Sequence, residues 1–309
     1  MFTKIFVTSS SRAIVFWLMS LAIAVSAQTA PGNEQLGKQT AKEEPGKASG
    51  NGTLTAAMVK TGLVVISGGG CNSVLRMSAN GFILVDGKLP GNYDEIWAKA
   101  RKVSFSEQPI RLLIDTDYHE NHSGNNAKFI AAGAQVLAQE NVKQTLENYD
   151  PPGGKIALPT RTYDHDFTVK LGGVEVQVMH FGNAHTNGDT VVYFPNLKVV
   201  AVGDLLAAAP DPDYSAGGSL LGWGPVLAQV LKLDFDIAVP GTGPTVTRSD
   251  VEAFKNRIDT LVSRANVLVK NGVPKSELMA QLKTDDLGWQ LKLTGEQVDR
   301  FYAELLQAK

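Results

Sequence analysis

The chain has 309 residues, 43% hydrophobic and 19% charged, values that exclude wholesale disorder and a collagen-like repeat and leave enough apolar side chain for a sizeable core. Lys and Arg number 29 against 31 Asp and Glu, a net charge of -2, so no basic excess argues for a nucleic-acid partner. Length alone allows either two domains or one large layered α/β unit.

At the start of the chain, Lys4 and Arg12 precede an apolar run over 13–27 that ends in Val25-Ser26-Ala27. The run falls short of the roughly 20 apolar residues of a spanning helix, and this order of features reads as a cleaved secretory signal. The mature protein is therefore expected to be exported, periplasmic or extracellular, with no membrane span. Residues 28–52 are rich in Gly, Pro, Lys, Glu and Gln and bury too little to offset the entropy of ordering, so a tether is expected there. The single cysteine, Cys71, follows Gly68, Gly69 and Gly70. It permits no intramolecular disulfide and reads as a small buried residue beside a turn rather than a catalytic thiol.

Beyond residue 53, short apolar, β-branched runs recur between turn residues, and strands are expected over 63–66, 73–77, 82–85, 111–114, 135–138, 174–179, 190–194, 198–202 and 236–239. Short helices are expected over 93–103, 124–132 and 141–148. A longer helix is expected from Ser249, with Glu252 completing a capping box, to about Val269, where Asn271-Gly272 stops it. Thr294 with Gln297 repeats that signature before a last helix over 296–308. No linker-like stretch divides the rest of the chain, which reads as one α/β unit of two sheets with helices outside.

The chemistry gathers around the five histidines, His119, His122, His165, His180 and His185. Two of them fall in Asp115-Thr116-Asp117-Tyr118-His119-Glu120-Asn121-His122, directly after an expected strand. Alternation lets Asp117 and His119 point the same way, and a bend at Asn121 brings His122 toward them. Taken alone, such a cluster also serves to cap the next helix. His185 lies in a turn, Phe181-Gly182-Asn183-Ala184-His185-Thr186-Asn187-Gly188-Asp189, and Asp204 ends the strand Val199-Val200-Ala201-Val202-Gly203. Asp115 and Asp189 could orient imidazoles from behind, or serve as ordinary turn caps. His165 reads as solvated, His180 as packed at a sheet edge, and Glu120 as facing away from the cluster.

In order and spacing, these segments, with Gly81-Phe82-Ile83-Leu84-Val85-Asp86 and Pro240-Gly241-Thr242-Gly243-Pro244, resemble the metallo-β-lactamase fold superfamily over about residues 62–260. The resemblance implies an α/β fold, a four-layer αββα sandwich of two mixed β-sheets flanked by helices, over a domain spanning 53–309. It also implies one or two metal ions, commonly zinc, at one edge. The family's His-x-His-x-Asp-His segment is here Asp117-Tyr118-His119-Glu120-Asn121-His122, so His119 and His122 match while Asp117 and Asn121 depart. His185 matches the next ligand, Asp204 matches the bridging carboxylate, and Thr242 replaces the last histidine. On this pattern Asp117, His119 and His185 would hold one zinc, while His122 and Asp204 would form a weaker second position. One ion rather than two is therefore expected.

The activity implied is a metal-dependent hydrolase in which a metal-bound water, its pKa lowered to about 7, attacks a small-molecule ester, lactone, thioester, lactam or phosphoester. Asn121 would orient that water, and Tyr118 and Trp223, with Tyr214, would either line the substrate pocket beneath an overhanging segment after Asp204 or belong to the core. The alternative is a non-catalytic relative with a degenerate metal site. Neither the substrate nor the oligomeric state is legible in the sequence.

Overall fold

The structure, a computed structural model, describes residues 53–289, 291, 293 and 295–307, all within the compact unit Ala48–Lys309. The expected signal and tether, 1–52, lie outside the described residues. The first sheet has seven strands in chain order: β1 (Thr55–Lys60), β2 (Leu63–Ser67), β3 (Ser73–Ser78), β4 (Gly81–Val85), β5 (Ile110–Ile114), β6 (Gln135–Gln139) and β7 (Arg161–Tyr163). β1 to β4 meander antiparallel, and β4 to β7 run parallel. Parallel neighbours need crossovers, here α1 (Tyr93–Ser104), the short pair α2 (Glu120–Ser123) and α3 (Asn126–Ala131), and α4 (Glu140–Asn148).

The second sheet holds β8 (Asp166–Leu171), β9 (Val174–Met179), β10 (Val191–Phe194), β11 (Val199–Gly203), β12 (Ile237–Pro240) and β13 (Val246–Thr247), in the order β13-β12-β11-β10-β9-β8. Only β11 and β12 are parallel there, connected through α5 (Leu220–Val230). α6 (Arg248–Lys270), α7 (Lys275–Gln281) and α8 (Glu296–Gln307) follow.

Side-chain alternation sorts the apolar residues into layers. Ile83, Val85, Leu112 and Ile114 face Val178, Val192, Val199 and Ala201 between the sheets. Leu84, Leu113 and Val136 turn outward against Ile96 and Phe129. Val200 and Val202 turn the other way, against Trp223, Leu227, Ile258 and Phe301. The result is the four-layer arrangement expected, two mixed sheets flanked by helices.

Two departures concern signals in the chain. α6 begins two residues early, because Thr247 caps it and Asp250 closes the box, while Ser249 Oγ is spent on Thr247 Oγ1. Thr294 of the second expected box lies outside the described residues. β1, β7, β8 and β13, with α2, α5 and α7, lie outside the expected strands and helices. β7 and β13 are too short to show a period. β8 has one, Phe167, Val169 and Leu171 packing toward the inter-sheet core.

Candidate metal centre

The C-terminal ends of the parallel strands meet at one edge of the sandwich, the usual place for a site in α/β folds. Asp86 follows β4, the segment 115–122 follows β5, Asp204 follows β11 and Thr242 follows β12. Backbone bonds tie the two sheets together there: Thr190 N donates to Thr116 O at 2.7 Å and Asn72 N to Gly241 O at 2.6 Å. Gly203, at φ 51°, lies so close to Thr116 that a Cβ would sit 2.6 Å from its Oγ1. Glycine at this position is what lets Asp204 approach the other sheet.

Three of the five histidines converge. His119 Nδ1 is 3.1 Å from Asp117 Oδ1 and 3.3 Å from His185 Nε2. His122 Nε2 is 3.5 Å from Asp117 Oδ2 and 3.3 Å from Asp204 Oδ2, which is itself 3.7 Å from His185 Nε2. The other two stay apart: His165 is exposed beside Asp164, and His180 Nδ1 meets Asp189 O at 2.8 Å.

Each converging ring is fixed from behind by an oxygen acceptor. His185 Nδ1 faces Asp211 O at 2.6 Å, His122 Nδ1 faces Asp86 Oδ2 at 3.0 Å, and His119 Nε2 faces Asp213 Oδ2 at 3.2 Å. With hydrogens on those outer nitrogens, neutral rings present lone pairs from the inner ones. Three lone pairs and the carboxylates of Asp117 and Asp204 then point at one small volume. Asp204 Oδ1 is buried with no hydrogen-bond partner. Acceptors alone cannot satisfy one another; protons or a cation must stand between them.

The electrostatics agree. Burial opposes charge at Asp117, Asp204, His119 and His122, and their partners overrule it. His122 and then His119 hold Asp117 well below the usual carboxylate range, and His122 holds Asp204 below it. Asp117 and Asp213 bring His119 up to about 10, and Asp117, Asp86 and Asp204 push His122 upward. Among the described residues, three groups of side chains could hold a metal ion: Cys71, Asp86 and His122, and two that share Asp117, one with His119 and His185 and one with His122 and Asp204. In a tetrahedral zinc site with bonds of about 2.0–2.1 Å, ligand atoms stand about 3.3 Å apart, close to the separations found. Carboxylate and imidazole are donors that suit zinc, so the residues present fit it.

Several expectations need correcting. Asp115 touches none of the imidazoles; its Oδ2 accepts from Asn126 Nδ2 at 2.7 Å. Asp189 fastens the His185 turn by accepting from Thr186 N and Oγ1, and does not meet the ring. The orienting groups are Asp86, Asp211 O and Asp213; Asp86 closes one of the segments that carry the resemblance, which does not mark its role, and the other two fall in no motif. Tyr118 is buried and its hydroxyl donates to Asp213 Oδ2, so it braces the site instead of lining a substrate pocket. Trp223 is fully buried, its Nε1 donating to Leu205 O at 3.0 Å; it belongs to the core behind His185. Tyr214 is buried too, bonded to Glu304. Asn121 places its amide nitrogen 2.8 Å from His122 Nε2.

Beside the cluster opens a cleft of about 430 Å³ whose walls include His185, Asp204, Ala207, Pro210, Thr242 and Leu293. The expected overhang is present, since residues 207–211 form one wall.

A family model described as the metallo-beta-lactamase superfamily matches residues 66–262. The chain belongs to that superfamily. Curated relatives include the 2,4-dinitroanisole O-demethylase subunit alpha of Nocardioides sp. (strain JS1661), 26% identical over 223 residues that make up 72% of this chain and 67% of that one. Another is the metallo-beta-lactamase type 2 of Elizabethkingia meningoseptica, 24% identical over 147 residues, 46% of this chain and 55% of that one. Among solved structures, a metallo-beta-lactamase from Pontibacter korlensis superposes with a TM-score of 0.58 at 19% identity, covering 67% of this chain and 99% of that one. A Pseudomonas aeruginosa metallo-beta-lactamase in a mono-zinc form gives 0.58 at 17%, covering 68% and 97%. At these identities the structural likeness shows the fold alone.

Proposed function

We propose that this superfamily member is an exported, zinc-dependent hydrolase of a small-molecule substrate, with Asp117, His119, His122, His185 and Asp204 as its metal ligands. The observation that carries the reading is the convergence of three imidazole nitrogens and two carboxylates, each ring held from behind. Zinc, when bound, supplies a Lewis acid and acidifies water. The chain's own part is to orient and to exclude. Asp86, Asp213 and Asp211 O fix the ring tautomers, the two sheets hold the ligand-bearing strand ends rigidly, and the cleft wall of Ala207 and Pro210 keeps one side of the substrate dry. Asn121, neutral, can donate or accept a hydrogen bond but cannot act as a carboxylate base.

The substrate class supported is an ester, lactone, thioester, lactam or phosphoester. The relatives include both a demethylase and β-lactamases, and fold does not fix the substrate. Export, to a periplasm or the cell exterior, rests on the 1–27 segment.

The test is a hydrolase substrate panel with and without zinc, using His119→Ala as control, together with metal analysis of purified protein. Zinc-dependent turnover that falls at least about 100-fold in the variant is expected, since one of the ligands is lost. Equal rates in parent and variant, or less than about a tenth of an equivalent of zinc after loading, would replace this reading with that of a non-catalytic relative.

A further inference from the structure

We infer that Asp117 is a bridging ligand, which gives this chain two complete cation positions where the tally of matching residues leaves one and a remnant. The inference rests on the metal-site reading above. It concerns the two places where the chain departs from the pattern it resembles, Asp117 in place of an imidazole and Asn121 in place of a carboxylate.

An imidazole whose outer nitrogen is held offers one lone pair to one ion. A carboxylate offers two oxygens, and those of Asp117 are divided between two sets of partners. Oδ1 accepts from His119 N at 2.8 Å and stands 3.1 Å from His119 Nδ1. Oδ2 stands 3.5 Å from His122 Nε2 and 4.0 Å from His185 Nε2. Asp117 is therefore the member common to two of the candidate groups, the one with His119 and His185 and the one with His122 and Asp204. Its side chain is almost wholly buried and cannot turn toward solvent instead.

Without Asp117 the second position would keep only His122 and Asp204 as strong donors; with it there are three, two of them carboxylates. The neutral Asn121 amide is the group that presently donates to His122 Nε2, and it must rotate away for that nitrogen to bind a cation. The two departures thus compensate. Negative charge lost at 121 is regained at 117, at a point from which it also serves the first position. An oxygen-richer second position suits manganese as well as zinc.

Zinc stoichiometry by equilibrium dialysis with elemental analysis tests this, on the full chain as purified. The parent is expected to hold two equivalents. Asp117→His, whose imidazole can serve only one ion, is expected to hold one. Asp117→His combined with Asn121→Asp is expected to regain the second, because residue 121 already reaches His122 Nε2. Manganese supplies a readout independent of any variant's folding: two bound ions sharing a carboxylate give an exchange-coupled paramagnetic resonance spectrum in the parent. One equivalent in the parent, two in Asp117→His, or only isolated-ion manganese signals would overturn the bridge while leaving the hydrolase reading intact. No bound metal in the parent would overturn both.

Discussion

Asp213 does more than its place in a turn would suggest. Its Oδ2 accepts from the Tyr118 hydroxyl and meets His119 Nε2, while its backbone N–H donates to His185 O at 2.7 Å. Two residues earlier, Asp211 O takes the other nitrogen of His185. The stretch Asp211-Pro212-Asp213 therefore clamps both imidazoles of the first position. Its own shape is held by Asp213 Oδ1, which caps the one-turn 3-10 helix Tyr214–Ala216 through Ser215 N and Ala216 N. Outer partners of this kind usually govern metal affinity about 10- to 100-fold. Asp213→Ala is expected to weaken zinc binding by that factor, measured by competition with a chelating dye, with secondary structure by circular dichroism unchanged. Affinity equal to the parent's would show that the ring needs no such support.

At the scale of elements, the helices of the outer layer carry the site by packing behind it. α8 buries Phe301 and Leu305 against the second sheet's helices and brings Glu304 to the Tyr214 hydroxyl at 3.1 Å. Burial raises the Glu304 carboxyl above its ordinary 4.5. The folded chain thus holds this proton more tightly than the unfolded chain. The stability it contributes is present at low pH and is lost as pH rises through the raised value. Glu304→Gln cannot ionise, so relative to this variant the parent is expected to lose stability as pH rises from about 4.5 through the raised value, followed by urea denaturation. A stability gap that stays constant over that range would place the carboxyl in water.

For the whole molecule, folding and metal binding should be linked, because ligands from both sheets meet only in the folded chain. A ligand that binds the native state alone stabilises it by RT ln(1 + [L]/Kd), about 2.7 kcal/mol at a free concentration 100 times Kd. Zinc is expected to raise the unfolding midpoint accordingly, with most of that gain absent in His119→Ala, as read by thermal unfolding at fixed free zinc. No gain in the parent would mean that the acceptors stay occupied by protons.

The sequence by itself determined the layers and the cluster's membership. Strand alternation and turn residues are local properties, and the order of Asp117, His119, His122, His185 and Asp204 carries the family pattern. It also showed which positions depart from that pattern. It did not show α5, whose glycines and internal Pro225 blur the helical signal, nor the brackets behind the rings, since Asp211, Asp86 and Asp213 lie 26, 36 and 94 residues from the imidazoles they hold and share no common spacing with them. Tertiary structure alone decided that Tyr118 and Trp223 face protein and that both oxygens of Asp117 are shared. Such outcomes depend on how strand ends from two sheets meet, and no local stretch of chain encodes that meeting.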